Sequence, residues 1–249
     1  MPWLSINSEV LDRLLGVLLD HKPPRARLTV TFDDGYADAC DYIDARAAAF
    51  PDADFLFFLC PDKTVHRRGF RWDAPAFPSH QGCAARIDEM AVAPASIDDH
   101  DGGKLDGLAD APWCALATRD ECVALRRHRN VQLGNHTNRH LSFATLDAAA
   151  LEEEVAASQA LFHSVFGPTQ DLAIPFGPLG RHFYAPQTTS IVARFGLRVW
   201  STEGRPYAER ELIGARALPR FPVYGGWSVA ENLAQFVWQT CRAACRRVA

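Results

Sequence analysis

Ala26-Arg27-Leu28-Thr29-Val30-Thr31-Phe32-Asp33-Asp34-Gly35-Tyr36 is the stretch that decides the fold. Its first part is apolar and rich in β-branched residues, and it breaks into Asp-Asp-Gly, as an interior parallel strand does where it meets a loop. A solitary Asp-Asp-Gly is more often a turn, with aspartate bonding its own backbone and glycine accepting positive φ. The residues beyond Gly35 tip the balance the other way. Tyr36 to Phe50 reads as a helix and Asp54-Phe55-Leu56-Phe57-Phe58-Leu59-Cys60 as a second buried strand, so the segment is a β-α-β unit. In parallel α/β folds the C-terminal ends of the strands converge on the ligand face, which puts Asp33 and Asp34 at the mouth of a site.

Working outward, Thr118-x-x-Glu121 is a capping box that opens a helix ending near Asn130. Val131 to Asn135 is then a short strand that delivers His136-Thr137-Asn138-Arg139-His140 to a loop or first helical turn. Two histidines four apart can face one cation, and neutral imidazole is a good ligand for zinc. An isolated His-x-x-x-His is a weak signal. Its arrival at a strand end, like that of the carboxylate pair, points both motifs at one metal centre of a hydrolase.

The rest of the chain keeps the alternation. Leu146 to Phe166 is a long helix with Leu151, Val155 and Phe162 on its apolar side, and Glu152-Glu153-Glu154 reads as its solvated surface. A strand at Asp171 to Pro175, a helix from Pro186 to Arg194 and a strand from Leu197 to Ser201 come next. The chain closes with Ala217 to Phe221 and a helix opened by Ser228-x-x-Glu231. Ser8 to Asp20 has helical spacing of Val10, Leu11, Leu14, Leu15 and Leu18, stopped by Pro23-Pro24. Only from Pro61 to about Ala117 does periodicity fail, which predicts an inserted subregion or a lid. One domain over residues 1–249 is expected, carrying an insert at 61–117.

Composition excludes several classes. The net charge is -4 and the basic cluster Arg126-Arg127-His128-Arg129 is short, so nucleic acid is not an expected partner. The 7 cysteines form no Cys-x-x-Cys pair and read as buried reduced thiols. The Leu14 to Leu19 stretch is too short to span a bilayer, and no leader pattern precedes it, so the expectation is a cytoplasmic protein without a transmembrane segment. The sequence does not fix the oligomeric state.

Thr31-Phe32-Asp33-Asp34-Gly35-Tyr36 together with Asn135-His136-Thr137-Asn138-Arg139-His140 resembles the polysaccharide deacetylases of the NodB-homology group, carbohydrate esterase family 4. Ala173-Ile174-Pro175-Phe176-Gly177 looks like that family's Tyr-Pro-Phe-Gly variant of a third motif, and the likeness covers roughly 26–60 and 118–225. The resemblance implies a distorted, incomplete (β/α)7-type barrel. It also implies a divalent metal, zinc first with cobalt, nickel or manganese as alternatives, held by Asp34, His136 and His140. By the same likeness Asp33 is the general base and the Phe176 backbone N–H the oxyanion donor, while Pro175 and Trp200 face the substrate.

Two departures stand out. Ala173 lies near the place where many family members carry an arginine that pairs with the base, and Arg220, at a late strand end, is the candidate replacement. The family's late Leu-x-x-His is missing, and His182 is the candidate acid, since no histidine follows it. Trp72, Trp113 and Trp227 fall in loop-like regions where sugar stacking is conceivable. The expected reaction removes an N-acetyl group from an N-acetylated sugar or glycan, or from a biosynthetic intermediate of one, and releases acetate. The alternatives are deformylation or hydrolysis of a non-glycan or lipid-linked amide, or a catalytically silent carbohydrate-binding homologue.

Overall fold

The computed structural model describes residues 7–70, 73, 110, 114–176, 186–201, 217–223 and 226–245. Six strands form one sheet in sequential order: β1 (Leu28–Phe32), β2 (Ala53–Leu59), β3 (Val131–Asn135), β4 (Asp171–Ala173), β5 (Arg198–Ser201) and β6 (Ala217–Pro219). Every pairing between neighbours is parallel. Strand order that follows chain order is the wall of a barrel wound in one direction. Arg220, just beyond β6, reaches back to Thr31 Oγ1 at 3.2 Å and to Asp33 beyond β1, so the two edges curl toward each other at their C-terminal ends. No ladder joins β1 to β6 among the described residues, so the barrel is incomplete.

β2 shows why the sheet is buried on both sides. Phe55, Phe57 and Leu59 pack with Leu11, Leu15, Ile43, Leu125 and Phe162 of the outer helices. The alternate residues Leu56 and Phe58 face inward, with Ala173 and Trp200. The period of two sends successive side chains to opposite faces, and each buried Phe or Leu contributes about 1.5–3 kcal/mol. β1 differs from its expectation as an interior strand. Among the described residues it pairs only with β2, at the sheet edge, and none of its residues is fully buried.

Among the described residues the α-helices are α1 (Ser8–His21), α2 (Ala37–Arg46), α3 (Pro61–His66), α4 (Arg119–Ala124), α5 (Ala148–Phe166), α6 (Pro186–Arg194) and α7 (Val229–Cys245). Both capping boxes form: Thr118 with Glu121 on α4, and Ser228 with Glu231 on α7. Asp147 caps α5 through Ala150 N, so that helix starts at Ala148 and not at Leu146. The region 61–117 is not aperiodic from its first residue. α3 follows β2 directly, with Pro61 at its first position, and its 6 residues are too few to register a helical period.

The far end of that region packs against the turn that follows β1. Ala37 N bonds Ala115 O at 2.8 Å and Ala117 N bonds Gly35 O at 2.9 Å, so 114–117 run along the Asp-Asp-Gly turn. Among the described residues Cys40, Cys60, Cys114 and Cys122 are buried free thiols. No helix there is long and apolar enough to cross a membrane.

Candidate metal centre

Asp33 and Asp34 leave β1 in a tight turn. Asp34 has φ +74° and Gly35 φ +86°, and a Cβ at Gly35 would stand 3.2 Å from Leu59 Cδ2. The backbone thus spends two left-handed residues to swing the Asp34 carboxylate inward, a conformation glycine takes freely and aspartate tolerates.

His136 and His140 come from the loop after β3. They do not share a helix face. Thr137 and His140 have φ +67° and +60°, so it is a looped backbone, not helical spacing, that brings the rings together. Their Nε2 atoms are 3.1 Å apart, and Asp34 Oδ1 lies 3.3 Å from His136 Nε2 and 3.0 Å from His140 Nε2.

These three atoms fit a cation. His136 Nδ1 donates to Ala173 O at 2.9 Å, a carbonyl that can only accept, so the neutral ring turns its Nε2 lone pair toward Asp34 and His140. Lone pairs that converge on one buried point need positive charge between them. A tetrahedral zinc with bonds of ~2.0–2.1 Å holds its ligand atoms about 3.3 Å apart, close to the separations here. The Ala173 carbonyl is also the kind of partner that fixes the tautomer of a ligating histidine.

Titration behaviour agrees. Burial pushes the Asp34 carboxyl up, but His140 and His136 outweigh it and hold it well below the usual carboxylate range. At His136 burial opposes the charged form, yet Asp33 and Asp34 raise its pKa above ordinary histidine. His140 is lowered, first by burial, and a charge on His136 works in the same direction. A proton on His136 and a metal cation therefore compete for one lone pair.

Asp33 stands beside this cluster, with Oδ2 3.8 Å from His136 Nε2. Arg220 grips it with two bonds, Nη1 to Oδ1 at 2.6 Å and Nη2 to Oδ2 at 3.0 Å. Arg220 is only 9% exposed, while the Asp33 side chain is half-buried, so the pair is anchored from the interior and its carboxylate reaches the mouth of the site. Burial raises the Asp33 pKa, and Arg220 followed by His136 more than offsets it, leaving the carboxyl ionised below its normal range. Phe58 lies beneath the group: its ring is 6.4 Å from His136, 6.1 Å from Trp200 and 5.5 Å from the Arg220 guanidinium.

Pro175 and Phe176 form the turn after β4, Phe176 at φ +62° with its ring edge-to-face on His140 at 4.7 Å. Trp200 is half-buried, and its Nε1 donates to Asp171 Oδ1 at 2.7 Å while Arg198 holds Asp171 Oδ2 at 2.7 Å, so the indole is fixed. His182, Trp72 and Trp113 lie outside the described residues. Trp227 is exposed beside α7.

Sequence reasoning missed two buried acids. Glu154, read as helix surface, is 1% exposed and accepts from Asn138 N, Arg139 N and Arg139 Nε of the histidine loop. The signal was present: Glu154 lies on the Leu151, Val155, Ser158, Phe162 face of α5, all of it buried. Asp73 accepts from Tyr36 Oη at 3.1 and 3.0 Å, and no periodicity marks it.

No protein-family profile matches the sequence and no curated protein matches it. Solved structures do. The deacetylase PplD of Streptococcus pyogenes, solved with acetate, matches with a TM-score of 0.58 at 16% identity, over 93% of this chain and 87% of that one. A polysaccharide deacetylase from Bacillus cereus matches with 0.59 at 11% identity, over 95% of this chain and 63% of that one. IcaB from Ammonifex degensii matches with 0.56 at 16% identity, over 93% and 87%. At these identities the likeness establishes the fold, the incomplete, NodB-like (β/α) barrel of polysaccharide deacetylases.

Proposed function

We propose that this chain is a divalent-metal hydrolase that removes the acetyl group from an N-acetylated sugar or glycan. The observation that carries the reading is the convergence of Asp34 Oδ1, His136 Nε2 and His140 Nε2 on one point, with an ionised Asp33 alongside. The fold shared with deacetylases supports the acetamide as the bond attacked.

A cation held by Asp34, His136 and His140, zinc in the first instance, would polarise the acetyl carbonyl and lower the pKa of water. Asp33 takes the proton of the attacking water as general base. Arg220 occupies both its oxygens, which fixes its direction and keeps it ionised and ready to accept. The backbone N–H of Phe176, set by a left-handed turn that Pro175 leads, donates to the developing oxyanion. Trp200, its indole fixed by Asp171, offers an apolar wall for the acetyl methyl or a sugar face. His182 is the proposed donor to the leaving amine.

The test is acetate release by zinc- and cobalt-loaded protein from N-acetylglucosamine oligomers and nucleotide-linked N-acetyl sugars. Asp33→Asn is expected to lower kcat by about 10²–10⁴-fold with metal still bound. No acetate from any acetamide at full metal occupancy would overturn the proposal.

A further inference from the structure

We propose that Glu154 is a positioning residue for the metal centre: from the inner face of α5 it holds the histidine loop in the shape that makes His136 and His140 converge. The inference rests on the reading of Asp34, His136 and His140 as metal ligands. It is carried by the hydrogen bonds of five consecutive amides. His136 N bonds Leu59 O at 2.8 Å, Thr137 N bonds Asn135 Oδ1 at 2.9 Å, and His140 N bonds Thr137 Oγ1 at 3.1 Å. The two between, Asn138 N and Arg139 N, both donate to Glu154 Oε1, at 2.9 and 2.7 Å.

This loop holds two non-glycine residues at positive φ, one of them the β-branched Thr137. Such backbone persists only where its surroundings over-determine it. Four of the five bonds end on side-chain oxygens, and Glu154, which takes two of them, is the only one of these three side chains that is remote in sequence from the loop. A buried carboxylate is costly unless it is paired and hydrogen-bonded, and Glu154 is: its other oxygen accepts from Arg139 Nε at 2.9 Å. One turn further along α5, Ser158 Oγ accepts from Asn135 Nδ2 at 3.0 Å, so the same helix face holds the loop at its start and at its middle. Without the two Glu154 bonds the Asn138 and Arg139 amides lose the acceptor that sets their direction, and the ring nitrogens lose their common focus.

The experiment measures zinc affinity by competition with a chromophoric chelator, and amide exchange in the metal-free protein, for wild type, Glu154→Gln, Glu154→Asp and the exposed control Glu153→Gln. Glu154→Gln removes the charge opposite Arg139 and turns an amide group into its place. It is expected to weaken zinc binding 10–100-fold, as loss of partners behind metal ligands does. The amides of Asn138 and Arg139 should exchange faster, and kcat should return toward wild type once zinc saturates. Glu154→Asp, which keeps the charge but withdraws it by one methylene, shifts affinity in the same direction by less and decides the matter if the glutamine variant does not fold. Glu153→Gln is expected to change nothing.

A residue that serves the fold alone would lower the melting temperature of the metal-free protein and leave the zinc Kd where it was. A folded variant with a zinc Kd within twofold of wild type therefore overturns the inference by itself. A wild-type protein with no zinc affinity overturns the metal-centre reading and this inference together.

Discussion

At the scale of the residue, the site is a problem of keeping charges useful in a buried place. Asp33 and Asp34 are adjacent in sequence, yet the left-handed turn at Asp34 gives them different neighbours: histidine nitrogens for Asp34 and a guanidinium for Asp33. The planar fork of arginine matches both oxygens of one carboxylate, and the ammonium of lysine cannot. Arg220→Lys is accordingly expected to lower kcat by about tenfold or more with zinc affinity unchanged, since it loosens the base and not the ligands. Steady-state rates beside a chelator competition check this; a parallel fall in zinc affinity would show that Arg220 shapes the metal centre instead. The sequence made these residues legible because Asp33, Asp34, His136 and His140 occur in short motifs at strand ends, and Arg220 follows a strand. Glu154 was hidden by its own neighbours, because an acidic triplet reads as solvated charge although one of its three members lies on the apolar face.

At the scale of the element, the strands were legible to within a residue or two from their apolar runs, and α3 was not, being too short to show a period. The edge position of β1 was invisible as well, because an apolar run states that a strand is covered but not how many neighbours it has. Inside the sheet β3 leaves no room beside the Phe58 ring of β2. A Cβ at Gly134 would stand 2.5 Å from two ring carbons of Phe58, the residue on which His136, Trp200 and the Arg220 guanidinium all rest. Overpacking in a core costs about 1–3 kcal/mol, so Gly134→Ala should lower the melting temperature measurably. Because the ring that must yield lies under the site, hydrolysis measured well below the melting point is expected to fall too. Full activity at that temperature would mean that Phe58 moves without carrying the site with it.

At the scale of the whole molecule, Asp73, between β2 and α4, is tied back to the Asp-Asp-Gly turn, and its titration records that tie. Tyr36, next to Gly35, donates to both oxygens of Asp73, and Phe70 N donates to Oδ2 at 3.3 Å while the Phe70 ring lies edge-on to His140. Asp73 is 4% exposed, and burial first, with the Asp34 carboxylate adding to it, pushes its pKa from 3.8 up to about 6 against the help of those donors. Cys114 is the other titrating neighbour, its thiol itself pushed up to about 11. With a folded pKa above the unfolded one, the native state binds the proton more tightly, so this group's contribution to stability falls as pH rises from about 3.8 to 6. Above that window the loss is complete, and a shift of about two units is worth up to about 3 kcal/mol. Asp73→Asn keeps an acceptor for Phe70 N–H and removes the charge. Urea unfolding of both proteins between pH 4 and 7 should show the variant gaining on wild type as pH rises, while the many carboxylates common to both cancel in the difference. A difference that stays flat across that range would mean that Asp73 ionises in the folded protein as easily as it does in the unfolded chain, and that the tie to Tyr36 carries no electrostatic cost.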